Sequence, residues 1–144
     1  MTSLEIMARQ FAAETYIVNL LQGEWMPLFD DHGNMLPGIR GRMGVAHLTS
    51  EGHELGIDLI EMQPGSLFPL HFHDGDHIIY GVSGTVYVHV DGTDHTMNPG
   101  DTVFIPAELP HGVKTIPGNQ KVSVFLAIGN RHKPLSATDR MHVV

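Results

Sequence analysis

Four histidines carry the spacing from which this sequence could build a metal site. His71, His73 and His77 lie within seven residues, and His111 follows the short apolar run that ends before Pro106. On an extended strand, residues 71 and 73 point to the same face, so their imidazoles can converge on one ion. His77 follows an Asp-Gly-Asp turn and can face the same interior from the next strand. Four convergent imidazoles would form a complete ligand set for one divalent metal ion, and the alternative is that His71 and His73 are ordinary polar side chains on a half-exposed strand.

The elements that must position these histidines are short β-strands. Apolar or alternating runs separated by Gly, Pro, Asn and Asp predict strands at 16–21, 42–48, 54–62, 67–73, 76–82, 85–90, 94–97, 102–105, 111–116 and 121–128. Asp91-Gly92 predicts a tight hairpin turn, and Asn98-Pro99-Gly100-Asp101 predicts the next turn. A helix is predicted only at 2–13, and a long loop at 22–41. The pattern indicates an all-β sandwich or small barrel.

The spacing of glycines around the histidines resembles the two motifs of the cupin superfamily. Residues 65–84 match Gly-x5-His-x-His-x3-His-x6-Gly, residues 100–115 contain Gly-x5-Pro-x4-His, and 15 residues separate Gly84 from Gly100. The resemblance implies a jelly-roll barrel, the cupin double-stranded β-helix, formed by one domain over residues 1–144. The sequence departs from the family pattern at three positions, where His77 replaces Glu, Glu108 replaces Gly and Thr115 replaces Asn.

The histidine at position 77 affects the chemistry that we expect. Four imidazole ligands are neutral, so a divalent ion would keep its full charge and act as a strong Lewis acid. Imidazole suits Zn, which we favour, as well as Fe, Ni and Cu, and Mn occurs in related cupins. We therefore expect an enzyme that cyclises or isomerises an enolisable, oxygen-rich molecule such as a β-diketone or polyketide. Two alternatives are a dioxygenase that uses Fe, Ni or Cu with O2 and a non-catalytic cupin that binds a small ligand.

Proton transfer requires a further group, because a metal-bound imidazole cannot also act as a general base. The sequence offers His89, Tyr87 and Glu61 as candidates, and a metal-bound hydroxide is the alternative. Asp74 and Asp76 could hold the ligand imidazoles in place or simply shape the turn between them. Histidines outside the motif, such as His132, are predicted to be solvated or hydrogen-bonded locally.

Composition excludes several other classes of protein. The formal net charge is −8 and the eight Lys and Arg residues are scattered, which argues against binding to nucleic acid or an anionic membrane. The absence of cysteine excludes disulfides, thiolate nucleophiles and iron–sulfur clusters. No apolar run is long enough to span a bilayer and no signal pattern is evident, so we expect a cytoplasmic protein. Surplus apolar residues at 16–21 predict a homodimer in which that strand takes part.

Overall fold

The structure is a computed structural model that describes residues 10–144. These residues form one short helix, α1, and eleven strands, β1 to β11. The helix is Ala13–Tyr16, and the strands are Met26–Phe29, Met35–Leu48, Glu54–Met62, Leu67–Phe72, His77–Ser83, Val86–Val90, Thr93–Met97, Thr102–Ile105, His111–Thr115, Ser123–Asn130 and His142–Val143. The prediction of an all-β protein is confirmed. None of the helical structure in the described part of the chain has the length and hydropathy of a membrane span.

The strands form two antiparallel sheets that pack face to face. One sheet has six strands in the order β1-β2-β3-β10-β5-β8, and the other has five in the order β11-β4-β9-β6-β7. Neighbours in each sheet are often distant in sequence, as in β3 and β10, which pair over eight residue positions. This arrangement is the jelly roll that the two motifs imply, and it places β4 and β9 side by side.

The core lies between the two sheets because strands such as β6 and β10 alternate between inward buried and outward side chains. Ile60 and Met62 of β3, Val88 of β6 and Phe125 of β10 are all at most 3% exposed. Burying a side chain of this size contributes about 1.5–3 kcal/mol each. The alternation fixes which face of each strand the functional side chains occupy.

Two turns adopt the conformation that their sequences predict. Asp91 and Gly92 both have positive φ, at 51° and 73°, which is the backbone that a two-residue hairpin turn requires. Gly100 has a φ of 91° in the next turn. The first turn joins β6 to β7, and in the second the Gly100 amide donates a hydrogen bond to the Gly81 carbonyl of β5.

The N-terminal predictions need correction. Residues 16–21 do not form a strand, because α1 ends at Tyr16 and the Asn19 side chain accepts a hydrogen bond from the Leu21 amide in a local turn. The segment 22–41 is not a long loop, since β1 and the start of β2 form a hairpin there, closed by Asp30, whose side chain accepts bonds from the amides of His32 and Asn34. Most of the helix predicted at 2–13 lies outside the described residues.

Candidate metal centre

Three histidines of the five-stranded sheet bring their ring nitrogens together. His71 of β4 lies directly opposite His111 of β9 in the sheet register, and His73 follows on the same face of the chain. One nitrogen from each of these imidazoles lies within 4.8 Å of the others, and the Nε2 atoms of His71 and His73 are 3.0 Å apart. These three histidines, called here the histidine trio, are each at most 8% exposed.

Backbone carbonyls fix the tautomer of every imidazole in the trio. His71 Nδ1 donates to the Pro69 carbonyl at 2.6 Å, and His111 Nδ1 donates to the Leu109 carbonyl at 2.9 Å. His73 Nδ1 donates to the carbonyl of Arg140 at 2.7 Å. Because a carbonyl can only accept, each Nδ1 carries the proton and each Nε2 presents a lone pair. Metal-binding histidines are held by this kind of outer hydrogen bond.

The trio fits a divalent metal ion. Two Nε2 lone pairs that face each other at 3.0 Å repel unless a cation lies between them. Nitrogens bound at about 2.0–2.1 Å lie about 3 Å apart when they meet the ion at nearly a right angle. The Nε2 atoms of His71 and His73 are thus spaced as two ligands of one ion. Three neutral imidazoles suit Zn, Cu, Fe or Ni.

His77 approaches the trio from the opposite sheet. It is the first residue of β5, and its ring stacks on that of His73 with centroids 4.1 Å apart and planes 22° apart. Gly129 of β10 makes room for it, since a Cβ there would lie 2.5 Å from His77 Cδ2. His77 lines the same cavity as the trio, but its ring nitrogens are not grouped with the other three.

Burial keeps these imidazoles neutral in the metal-free protein. Loss of solvation, which penalises the charged ring, lowers the pKa of His73 to about 2 and that of His77 to about 3. The same cause lowers the pKa of His71 well below its ordinary value of 6.5, and lowers that of His111. Neutral imidazole is the form that binds metal, so the site is prepared for an ion at neutral pH.

The cavity next to the histidines is narrow and mostly apolar. Its volume is about 30 Å³, which holds roughly two water-sized groups. The walls combine the histidines with core side chains and one arginine: Leu28, Ile60, Phe68, His71, His73, His77, Ile79, His111, Val113, Phe125, Ala127, Arg140 and Met141. A larger molecule could therefore place only one end beside the trio unless side chains move.

A buried ionic network borders the cavity. Asp58 Oδ2 accepts hydrogen bonds from Arg140 Nη2 at 2.8 Å and from His132 Nε2 at 2.7 Å, and Asp58 has no exposed surface. His132 is thus buried and bonded to a residue 74 positions away, rather than solvated or bonded locally. One signal for this network is present in the sequence. Asp58 shares the inward face of β3 with Ile60 and Met62, and a charge at such a position needs a partner.

The two aspartates of the ligand loop do not bond to the trio. Asp76 Oδ1 accepts from the Ala107 amide at 2.8 Å, and Asp74 Oδ1 pairs with His142 Nε2 at 3.1 Å. They shape and anchor the turn, and backbone carbonyls hold the imidazoles instead.

The three residues predicted as general bases lie outside the cavity. Tyr87 and His89 alternate with the buried Val86 and Val88 and so face outward, where His89 Nδ1 lies 2.7 Å from Asp94 Oδ1. Hydrogen bonds from His89 and Lys114 lower the pKa of the Asp94 carboxyl.

Glu61 also faces outward, because it alternates with Ile60 and Met62, and it accepts a hydrogen bond from Arg40 at 2.9 Å. For Tyr87 and His89, the sequence of β6 alone does not reveal which face of the strand points inward, since both faces carry partly buried side chains.

Solved structures of similar fold include enzymes. The polyketide cyclase RemF from Streptomyces resistomycificus is 21% identical, with 88% of this chain and 83% of RemF covered and a TM-score of 0.67. KdgF from Halomonas sp. is 19% identical, with 82% of this chain and 94% of KdgF covered and a TM-score of 0.64. A sugar phosphate isomerase of the cupin superfamily from Silicibacter pomeroyi is 21% identical, with coverages of 79% and 74% and a TM-score of 0.60. No curated protein matches the sequence.

The family assignment rests on the sequence between Asp58 and Gly129. The family model described as Cupin domain matches residues 58–129, which is half of the chain. This range contains the histidine trio and His77, together with the strands that carry them. The spacing of the histidines, the jelly roll and this match agree, and the chain is therefore a member of the cupin family.

Proposed function

We propose that this cupin is a metal-dependent enzyme acting on an enolisable, oxygen-rich small molecule such as a β-diketone or polyketide, by cyclisation or isomerisation. The histidine trio is the observation that carries the proposal, since its members are buried, neutral and held with Nε2 toward one another. A divalent ion bound there, with zinc favoured, would supply Lewis-acid stabilisation of the enolate that forms when the substrate loses a proton.

The residues of the chain supply the surroundings for that chemistry. The trio contributes no negative charge, so a bound ion would keep its full charge. We assign His77 as the fourth ligand because its imidazole lines the same cavity. The apolar walls exclude water and so strengthen electrostatic interactions with the substrate oxygen. RemF, a structural relative of this chain, is a polyketide cyclase, which supports the substrate class.

A test of metal binding comes first. Elemental analysis of purified protein should give one divalent ion per chain, and His73→Ala and His111→Ala should each lose it. Glu61→Ala is the matched control, because Glu61 lies outside the cavity and this variant should retain the ion. Full occupancy in both histidine variants would rule out the assigned site.

The reaction class is tested by proton exchange without oxygen. Zinc-loaded protein under strict anaerobiosis should accelerate exchange of the central C–H protons of 2,4-pentanedione with deuterium, measured by NMR against metal-free protein. Consumption of 2,4-pentanedione that requires O2 and a redox metal, with oxygen atoms from O2 in the product, would replace the proposal with oxidative chemistry.

A dioxygenase is the second candidate, and the position of His77 favours it. If only the trio holds the ion, the ion would have more room for a chelating substrate and O2 together than it would have with four protein ligands. Zinc titration separates the cases, because His77→Ala should weaken zinc binding if His77 is a ligand and should leave it close to wild type if only the trio holds the ion.

A further inference from the structure

We propose that Arg140 selects the substrate, and that the molecule bound here carries a carboxylate or another anionic oxygen beside its enolisable carbonyl. This inference rests on the proposed function and adds the substrate class to it.

Arg140 lies in the wall between the histidine cavity and the outside. It is 8% exposed and lines both the cavity and a second, polar pocket that also touches His73 and His77. That polar pocket shares Asp74, Arg131, His132 and Lys133 with a surface groove of about 360 Å³. A molecule seated in the groove could thus reach the trio past Arg140 while its larger part stays outside the narrow cavity.

The guanidinium is fixed in place and keeps donors free. Nη1 donates to the Lys133 carbonyl at 2.7 Å, and Nη2 donates to Asp58 Oδ2 at 2.8 Å. Within residues 10–144 these are its two hydrogen bonds, whereas a guanidinium has five N–H groups. Because the side chain is already ordered, binding an anion would cost little further side-chain entropy.

The charge around the site favours an anion. Arg140 is the charged side chain among the cavity walls. Asp58 balances Arg140 but does not line the cavity, and the trio is neutral. With a divalent ion bound, positive charge exceeds negative charge, and a substrate carboxylate would offset it.

Arg140 lies outside the part of the chain that matches the cupin family model. The cupin match ends at Gly129, whereas Lys133 and Arg140 belong to the segment that follows β10. The Arg140 backbone also holds His73 through its carbonyl, so one residue connects the ligand and the proposed anion contact. A side-chain substitution leaves that carbonyl in place, which allows the two roles to be separated.

The experiment compares two ligands of nearly equal shape. Calorimetry with zinc-loaded wild-type protein should show pyruvate binding about 10- to 100-fold more tightly than pyruvamide, the range of a charge-assisted hydrogen bond. The double variant Asp58→Asn/Arg140→Gln avoids an unpaired buried carboxylate. It should bind one zinc ion and pyruvamide as wild type does, with the preference for pyruvate reduced to less than about threefold.

Two further variants complete the test. Arg40→Gln makes the same change of residue on the outer face of the barrel and should keep the wild-type preference. Arg140→Lys retains the charge without the planar donors and should weaken pyruvate binding at least about threefold while sparing pyruvamide. If circular dichroism shows that the double variant does not fold, Arg140→Lys alone tests the preference for pyruvate over pyruvamide.

The outcomes distinguish this inference from the proposed function. Equal binding of the two ligands by wild type would show that the site does not prefer an anion. An unchanged preference in the variants would show that zinc alone accounts for anion binding, and either result would overturn the role of Arg140. Deuterium exchange of the pyruvamide methyl protons reports the proposed function separately. Exchange without an Arg140-dependent preference refutes only the anion site, and the preference without exchange refutes only the enolisation chemistry.

Discussion

The buried imidazole of His77 should make the stability of the metal-free protein depend on pH. Burial lowers its pKa to about 3, whereas a histidine in the unfolded chain titrates near 6.5. Below pH 6.5 the unfolded state therefore binds a proton that the folded state excludes. The stability contributed by neutral His77 is complete above pH 6.5 and is lost as the pH falls toward 3.

The size of this effect follows from the difference in bound protons. Between about pH 7.5 and about pH 5.5, one such histidine lowers the free energy of unfolding by about 1.4 kcal/mol. The result does not depend on the folded-state value, provided that it lies well below 5.5. His73, whose pKa burial lowers to about 2, should contribute a second decrement of the same size.

Urea unfolding of metal-free protein at the two pH values measures the effect. His77→Gln should lose about 1.4 kcal/mol less than wild type over this interval, because one excluded proton has been removed. Ile79→Val provides the control, since it weakens the same core by about 1 kcal/mol without removing a titrating group and should parallel wild type. Equal losses for wild type and His77→Gln would show that protons reach this imidazole in the folded state.

Three other predictions follow from the site and the surface. Gly129→Ala should displace His77, which lowers the free energy of unfolding by about 1–3 kcal/mol and weakens zinc binding in a titration. Gly23→Ala is the control, because the nearest atom to the added Cβ is 3.9 Å away and both quantities should stay at their wild-type values. His77→Glu should retain zinc but slow deuterium exchange, since a carboxylate reduces the pull on the substrate oxygen, and an unchanged rate would contradict this. Light scattering should show a dimer at micromolar concentration, with the exposed outer face of the six-stranded sheet as its interface. Phe104 lies on that face and is 61% exposed, so Phe104→Asp should disrupt the dimer. A wild-type monomer would refute the prediction.

The sequence was sufficient to predict the ligand strands because their patterns are local. His71 and His73 share a face by strand alternation, and Asp91-Gly92 sets a turn by its own backbone preference. Strand β3 was predicted with the bounds that the structure has. The first strands were harder, because the hairpin at Asp30 depends on side-chain bonds that no hydrophobic pattern reveals.

The parts of the site that sequence reasoning missed are held by contacts between distant residues. Asp58, His132 and Arg140 belong to different segments and match no motif spacing. The outward placement of Tyr87 and His89 could not be predicted for a related reason. An alternating strand shows that two faces exist, and only the packing of the opposite sheet decides that Val86 and Val88, rather than Tyr87 and His89, face inward.

The hydrogen bond between His73 and Arg140 has a consequence for the order in which the protein folds. It joins residues 67 positions apart, and the bond between Asp58 and Arg140 spans 82. Closing loops of this length costs chain entropy before any contact compensates for it, so structures of high contact order fold slowly. A peptide of residues 65–115 would contain every proposed ligand, yet it would lack the carbonyl that fixes the His73 tautomer. We therefore expect high-affinity zinc binding to arise late in refolding, after the segment that follows β10 has docked.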